Sequence, residues 1–323
     1  FSYARPRSLG EAFRHLSAED ARILAGGTDL LGCLHDGVFT ADRVVSISRI
    51  PELRGIAQEA DGSVRIGALT TVSEAASHPL LKERYPALAQ AAGEVASPQL
   101  RNQGTIGGNL CQKPRCWYYR GDFPCTRKGG GGCFAEHGEN QYHAILGSEG
   151  CFIVHPSDIA PALVAFDALI EIASARGTGR VPAEQFFVLP AQDFTRETIL
   201  AAGELVAAVL LPPPRPGLFS SYRKVRARGS WDFALAAVAL AIRFAAGRVA
   251  ESRIVLGGAA PAPWRCRAAE EAVQGRQLDE PTVARAAAAA MQGAKPLAQN
   301  GYKIDLCKGL LAEELAAAAH RQR

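Results

Sequence analysis

Two short stretches, Ala25-Gly26-Gly27-Thr28-Asp29-Leu30-Leu31 and Thr105-Ile106-Gly107-Gly108-Asn109, decide how this chain folds. The first follows Ala21-Arg22-Ile23-Leu24-Ala25, an apolar run that reads as a short buried strand, and it ends in a leucine pair that can open a helix. A strand, a glycine turn and a helix start together present outward-facing amides, and only glycine lets an anion approach the main chain so closely. Each turn is expected to place bare amides at a strand end with a hydroxyl residue alongside, Thr28 or Thr105. Neither is a P-loop or a G-x-G-x-x-G turn, and either alone could be a plain structural loop. Two turns of similar make, about 80 residues apart, suit a dinucleotide diphosphate held between two small units.

Around the first turn, Ser8 and Glu11 have capping-box spacing ahead of a short helix, and Val44-Val45-Ser46-Ile47 supplies a further strand. A βαβ unit is therefore expected over residues 1–58. A second unit, 59–211, starts near Val64-Arg65-Ile66-Gly67 and contains an alanine-rich segment from Ala87 to Ala96. It resumes after the cysteine-rich stretch with strand-like Phe152-Ile153-Val154, a helix from Ile159 to Phe166 and the strand Leu169-Ile170-Glu171-Ile172. Pro212-Pro213-Pro214-Arg215-Pro216-Gly217 is the strongest linker signal. Beyond it, a third unit over 217–323 reads as strands at Ala234 to Phe244 and Arg253 to Leu256. Two helices follow, one from Asp279 to Met291 and one from Tyr302 to Ala318. The fold class expected is α+β.

Composition narrows the function. The 323 residues are 48% apolar, 21% charged and 7% aromatic, ordinary values for a globular protein and too apolar for a disordered one. With 36 basic and 32 acidic residues the net charge is only +4, without a basic block to grip a phosphate backbone, so nucleic acid is not an expected partner. No stretch reaches the roughly 18 apolar residues of a membrane helix, and no apolar leader is visible, so a cytoplasmic protein is expected.

The two glycine turns resemble the FAD-binding signatures of the flavin subunit in the xanthine dehydrogenase and carbon monoxide dehydrogenase family of molybdenum hydroxylases. The resemblance runs on through Val64-Arg65-Ile66-Gly67-Ala68-Leu69-Thr70-Thr71, His155-Pro156-Ser157-Asp158, Tyr222-Arg223-Lys224-Val225-Arg226 and Trp231-Asp232-Phe233. It implies a two-subdomain FAD-binding domain followed by a C-terminal α+β domain. By resemblance, Ala25, Gly26, Gly27, Thr28, Asp29 and Leu30, with Thr105, Gly107, Gly108 and Asn109, wrap the FAD diphosphate. Asp158 would accept hydrogen bonds from ribityl or ribose hydroxyls, and Lys224 would approach the flavin ring, where a cation favours the anionic reduced form.

Five of the eight cysteines, Cys111, Cys116, Cys125, Cys133 and Cys151, fall within one stretch that also holds the four glycines Gly129 to Gly132. A long irregular insertion of this kind, at about 111–151, is usually functional. It departs from the common family pattern and resembles the minority whose flavin subunit carries an extra [4Fe-4S] cluster, found in 4-hydroxybenzoyl-CoA reductases and periplasmic aldehyde oxidoreductases. Arg115-Cys116-Trp117-Tyr118-Tyr119-Arg120 and Gly138-Glu139-Asn140-Gln141-Tyr142-His143-Ala144 look closer to the latter. A cubane needs four converging thiolates. Cys116, Cys125, Cys133 and Cys151 are the expected ligands, because Cys111 follows directly on the second glycine turn and is read as a core thiol. Zinc also takes four thiolates, but only Cys111 with Cys116 has the short spacing of a structural zinc site. Disulfides are the third reading, and Cys33, Cys266 and Cys307 are expected to fill core space.

The reading that follows is an electron-transfer subunit in which FAD and a [4Fe-4S] centre carry electrons and no side chain does acid-base work on a substrate. The resemblance implies a small subunit with [2Fe-2S] clusters and a large subunit with molybdenum-pterin, in a heterotrimer or a dimer of it, with aldehyde oxidation as the expected chemistry. It also leaves room for a ferredoxin or other redox partner, as in a 4-hydroxybenzoyl-CoA reductase with reversed electron flow, and for periplasmic export on a partner's signal. Readings from other classes are a self-contained flavin oxidase with a zinc-stapled loop, and a scaffold that has lost its cofactors.

Overall fold

The structure is a computed structural model and describes residues 1–321. Its first unit is a parallel three-stranded sheet in which β3 (Arg43–Ser46) lies between β1 (Ser2–Ala4) and β2 (Ala21–Leu24). Parallel neighbours need crossovers, and the helices Leu9–Leu16 and Leu30–His35 supply them. The expected capping box on the first helix is half formed. Ser8 Oγ accepts from the Glu11 amide at 3.3 Å, but the Glu11 carboxylate reaches past Ser8 to the Arg7 amide at 2.7 Å.

The second unit is an antiparallel five-stranded sheet in the order β4 (Ile56–Gln58), β5 (Val64–Gly67), β8 (Leu205–Leu211), β6 (Leu169–Ser174) and β7 (Gly177–Pro182). All seven residues of β8 are buried, as its unbroken apolar sequence requires of a central strand covered on both faces. The helices Pro86–Glu94 and Ile159–Ala165 pack into this core with Tyr85, which meets Phe166 edge-on at 5.3 Å.

The C-terminal sheet runs β12 (Trp264–Arg265), β11 (Arg248–Gly257), β10 (Ala236–Ala245), β9 (Leu218–Val225), all antiparallel. Alternate residues of a strand face opposite ways. Accordingly Ala237, Ala239 and Ala241 of β10 enter the core of the second unit, while Val238, Leu240 and Ile242 face the helices Arg267–Val273, Glu280–Ala290 and Tyr302–Arg321. The third sheet is therefore a shared wall. The proline-rich stretch before it is pinned, with Tyr85 Oη donating to the Pro212 carbonyl at 2.5 Å and Arg215 paired with Asp167 and Glu251 at 3.0 Å.

Two local expectations are corrected. Phe152-Ile153-Val154 joins no sheet; its apolar side chains pack, but its backbone is tied by single bonds, from the Ala144 amide to the Phe152 carbonyl and from the His155 amide to the Ala260 carbonyl. The second glycine turn does not close a strand: it links the helix Pro98–Gln103 to the short helix Ile106–Leu110, which Thr105 caps. No helix among the described residues is long and apolar enough to cross a membrane.

Candidate functional site

The two glycine turns touch. A Cβ on Gly26 would stand 2.7 Å from the carbonyl carbon of Gln103 and closer still to its oxygen, so only glycine permits this approach. The turns differ in what they offer. Among the described residues no hydrogen bond uses the amides of Gly26, Gly27, Thr28, Asp29 or Leu30, so these donors are open. In the second turn, Ile106 and Gly107 donate to the carbonyls of Thr70 and Ala68 at 2.9 Å, Gly108 to Thr105 Oγ1 at 3.2 Å and Asn109 to the Thr105 carbonyl at 2.8 Å. The expectation of bare amides at both turns holds for the first only. The second contributes a surface without Cβ atoms, with Gly108 exposed on it.

Three adjoining cavities form one cleft. The first, about 220 Å³, lies between the turns and is lined by Ala25 to Leu30 with Thr105, Gly107 and Gly108. Thr28, Asp29, Thr105 and Gly108 also line a second cavity of about 270 Å³, which continues past Asn109 to Asp158. A third, about 230 Å³ and mostly apolar, shares Arg115, Pro156, Asp158, Asp232 and Phe233 with the second and ends against Cys116, Trp117 and His143. An extended ligand with an anionic middle and a flat aromatic end matches this shape and lining.

The resemblance gave Asp158 and Lys224 separate roles, one at ligand hydroxyls and one at the flavin ring. The structure instead joins them in a buried ion pair at 2.8 Å, with the Lys224 side chain 0% exposed and lining none of the three cavities. Tyr222 Oη donates to the other carboxylate oxygen at 2.7 Å, and Lys224 also donates to the Glu94 carbonyl at 3.2 Å. Burial pushes Asp158 above the usual carboxylate range in spite of the Lys224 and Tyr222 contacts, and it pushes Tyr222 well above an ordinary phenol. Two of about four carboxylate acceptor positions are filled, which leaves capacity for a ligand hydroxyl.

Asp29 faces the cysteine-rich segment. Its carboxylate accepts from the Lys113 amide at 2.7 Å and from Arg120 at 2.7 Å, and it is paired with Arg115. Burial alone would raise Asp29, but Arg115, the Lys113 amide and Arg120 outweigh it and hold the carboxyl below its ordinary value. Deeper in, Glu197 pairs with Lys113 at 2.6 Å and with the buried Arg127. The insertion is thus tied by charge at both ends of one surface.

The insertion is irregular, as its glycines predict, with one short helix at Trp117–Arg120 and a single 3-10 turn at Thr126–Lys128. Gly130 lies so close to the Pro124 carbonyl that a Cβ would overlap it. Cys116, Cys125, Cys133 and Cys151 line one small cavity, and no other cysteine lines it. All four are free thiols, and burial pushes Cys116 up to about 11. Among the described residues no three His, Cys, Asp or Glu side chains come close enough to hold a single metal ion. The fifth cysteine, Cys111, instead lines the cavity between the glycine turns, while Cys33 packs with Tyr119 and Cys125, and Cys266 and Cys307 lie in the C-terminal core.

The cysteine cavity and the third part of the cleft share a wall made of Cys116, His143 and Ile153. His143 Nε2 is 3.3 Å from Cys116 Sγ, and burial together with Lys303 pulls its pKa down to about 4. The C-terminal unit holds this wall in place. Asn300 Nδ2 donates to the carbonyls of His143 (3.1 Å) and Ala144 (3.2 Å), and fully buried Lys303 donates to those of Tyr142 (2.9 Å) and Gly258 (2.8 Å). Sequence reasoning missed Glu197, Tyr222, Asn300 and Lys303. Tyr222 stands two residues before Lys224 on one strand face, a signal that period-2 alternation offers; the others act across the chain and leave no local pattern.

Comparison with known proteins agrees with this geometry. Residues 1–214 match the family described as FAD binding domain in molybdopterin dehydrogenase, and residues 220–318 match the CO dehydrogenase flavoprotein C-terminal domain. The chain is 38% identical to the aldehyde oxidoreductase FAD-binding subunit PaoB of Escherichia coli (strain K12), over 98% of both chains. It is 31% identical to the carbon monoxide dehydrogenase medium chain of Hydrogenophaga pseudoflava, over 92% of this chain and 88% of that one. A solved structure of the Hydrogenophaga pseudoflava carbon monoxide dehydrogenase superimposes with a TM-score of 0.79 at 30% identity, covering 99% of this chain and 98% of that one.

Proposed function

The chain belongs to the FAD-binding medium subunits of the xanthine dehydrogenase and carbon monoxide dehydrogenase family, and on that premise we propose that it is the electron-transfer subunit of a molybdenum-dependent aldehyde oxidoreductase carrying FAD and one [4Fe-4S] cluster. The expected subdomains 1–58 and 59–211 form the FAD-binding part in this reading, with the boundary moved back ahead of β4 (Ile56–Gln58), which pairs in the second sheet, and 217–323 form the C-terminal domain. FAD would lie along the cleft. The open amides of Gly26 to Leu30 and the exposed Gly108 receive its diphosphate, with Ala25, Thr105, Gly107 and Asn109 lining the path. Asp158 accepts from its hydroxyls while Lys224 neutralises the carboxylate.

Cys116, Cys125, Cys133 and Cys151 would hold the cluster. Their common cavity, which no other cysteine lines, supports this choice. Burial pushes the Cys116 and Cys151 thiols up, so a metal would be needed to stabilise their thiolates, and Arg127 lies by Cys151 to offset the added charge. When bound, the flavin and the cluster supply one- and two-electron transfer. The protein's own contribution is to hold both and to keep water out of the wall between them. The observation that carries the reading is that shared wall, because it sets the apolar end of the cleft directly against a four-cysteine cavity.

A small [2Fe-2S] subunit and a large molybdenum-pterin subunit complete the enzyme in this reading, and substrate turnover belongs to the latter. The test is anaerobic purification with flavin and metal analysis. Four irons per FAD is the expected result, and Cys125→Ser should lose iron and keep FAD. Zinc in place of iron would instead favour a zinc-stapled loop, and loss of iron in Cys111→Ser would overturn the ligand set.

A further inference from the structure

His143 is built to face one sulfur. Its Nε2 lies 3.3 Å from Cys116 Sγ and, among the described residues, its Nδ1 has no partner, so that Cys116 is the one hydrogen-bond contact of the ring there. The main chain that carries the ring is held on both sides. The His143 amide donates to the Asn140 carbonyl at 3.0 Å, its carbonyl accepts from Asn300 at 3.1 Å, and Trp117 packs edge-on at 5.4 Å. Asn140 is fixed in turn by a reciprocal pair with Gln299, at 3.1 and 2.9 Å. A metal-bound thiolate carries no proton, so at this contact the imidazole must be the donor and the sulfur the acceptor. A hydrogen bond to a ligand sulfur stabilises the more negative, reduced cluster more than the oxidised one, and so raises the reduction potential.

We propose that His143 is a positioning residue that sets the reduction potential of the cluster through an Nε2–H to Cys116 Sγ hydrogen bond, on the wall that faces the flavin cleft. This rests on the cluster reading above. It explains why a buried histidine with an unsatisfied ring nitrogen is kept between two cavities, clamped by side chains from more than 150 positions away in sequence.

The test uses the intact complex, purified anaerobically, with iron and FAD counted and the cluster titrated by electron paramagnetic resonance. His143→Phe fills the same space without a donor, whereas His143→Gln keeps an N–H. Both variants should retain iron and FAD. In the Phe variant the reduction equilibrium should shift up to about tenfold towards the oxidised cluster, which is about 59 mV downward for one electron, and the Gln variant should recover part of it. An unchanged potential in the Phe variant overturns the proposal. Loss of iron from both variants also overturns it, since His143 would then be needed for assembly. Wild-type complex with FAD and no iron would instead sink the cluster reading, and this inference with it.

Discussion

Gly26 and Gln103 meet where the two glycine turns cross, main chain against main chain, in a gap that no side chain could enter. The contact sets the width of the cleft at the point where the open amides of Gly26 to Leu30 face it. Binding geometry at the diphosphate position is thereby coupled to the packing of the two subdomains, and a change that separates the turns also moves the donors.

Gly26→Ala is expected to push the turns apart and to lower FAD affinity by about tenfold or more, equivalent to about 1.4 kcal/mol. Gly10→Ala, on the helix Leu9–Leu16 with open space at its Cβ position and away from the cleft, is the control and should keep full flavin. Flavin-to-protein ratio and calorimetric titration of the deflavinated protein read both. Equal flavin content in the two variants would show that the Gly26 contact does not control the site.

Asp158→Asn removes the carboxylate that pairs with Lys224, whose side chain is 0% exposed. Breaking a buried pair from one side leaves an uncompensated charge and costs roughly 3–5 kcal/mol, whereas removing both charges together costs far less. Urea unfolding of Asp158→Asn, Lys224→Met and the double variant should therefore show strong coupling, with the double variant more stable than either single one. Additive losses would mean that the pair contributes nothing as a pair.

The parts of this architecture that were legible in the sequence are those with local signatures. Gly26-Gly27-Thr28-Asp29 could be read because a turn at a strand end needs glycine, and β10 because an apolar run with small alternate residues suits a strand buried on both sides. The second glycine turn misled because its composition is that of an anion-binding loop, while its amides are spent on Ala68 and Thr70, carbonyls distant in sequence. Asp29 was read as a diphosphate neighbour by motif alone. Its partners Arg115 and Arg120 lie 86 and 91 residues on, and pairing over such separations follows no period. Glu197 and Asn300 were invisible for the same reason.

Burial pulls His155 down to about 4, from an ordinary value near 6.5, and Phe187 packs edge-on against its ring at 4.6 Å. Between pH 6.5 and 4 the unfolded chain takes up a proton that the folded chain refuses, so stability present above pH 6.5 is lost as pH falls towards 4. A shift of this size corresponds to up to about 3 kcal/mol. His155→Phe should flatten the dependence of the melting temperature on pH across that window and leave the region above pH 7 unchanged in slope. An unaltered acid slope would assign the loss to other groups.

Asn300 is fully buried and joins two segments of the chain: it accepts from the Leu297 amide at 2.7 Å and donates to the carbonyls of His143 and Ala144. Asn300→Ala leaves these groups without partners in a place water does not reach, at about 1–3 kcal/mol for each group left unsatisfied. The loss should be local, because Lys303, in the first turn of the helix that follows, still grips Tyr142 and Gly258. Hydrogen exchange should accordingly speed up at the amides of residues 140 to 146 while those of β8 keep their protection. Iron content should fall before FAD content does on mild warming, since the segment that loosens borders Cys116 and not the glycine turns. If exchange rises equally in β8, the C-terminal unit stabilises the whole chain and does not specifically brace the wall between the two cavities.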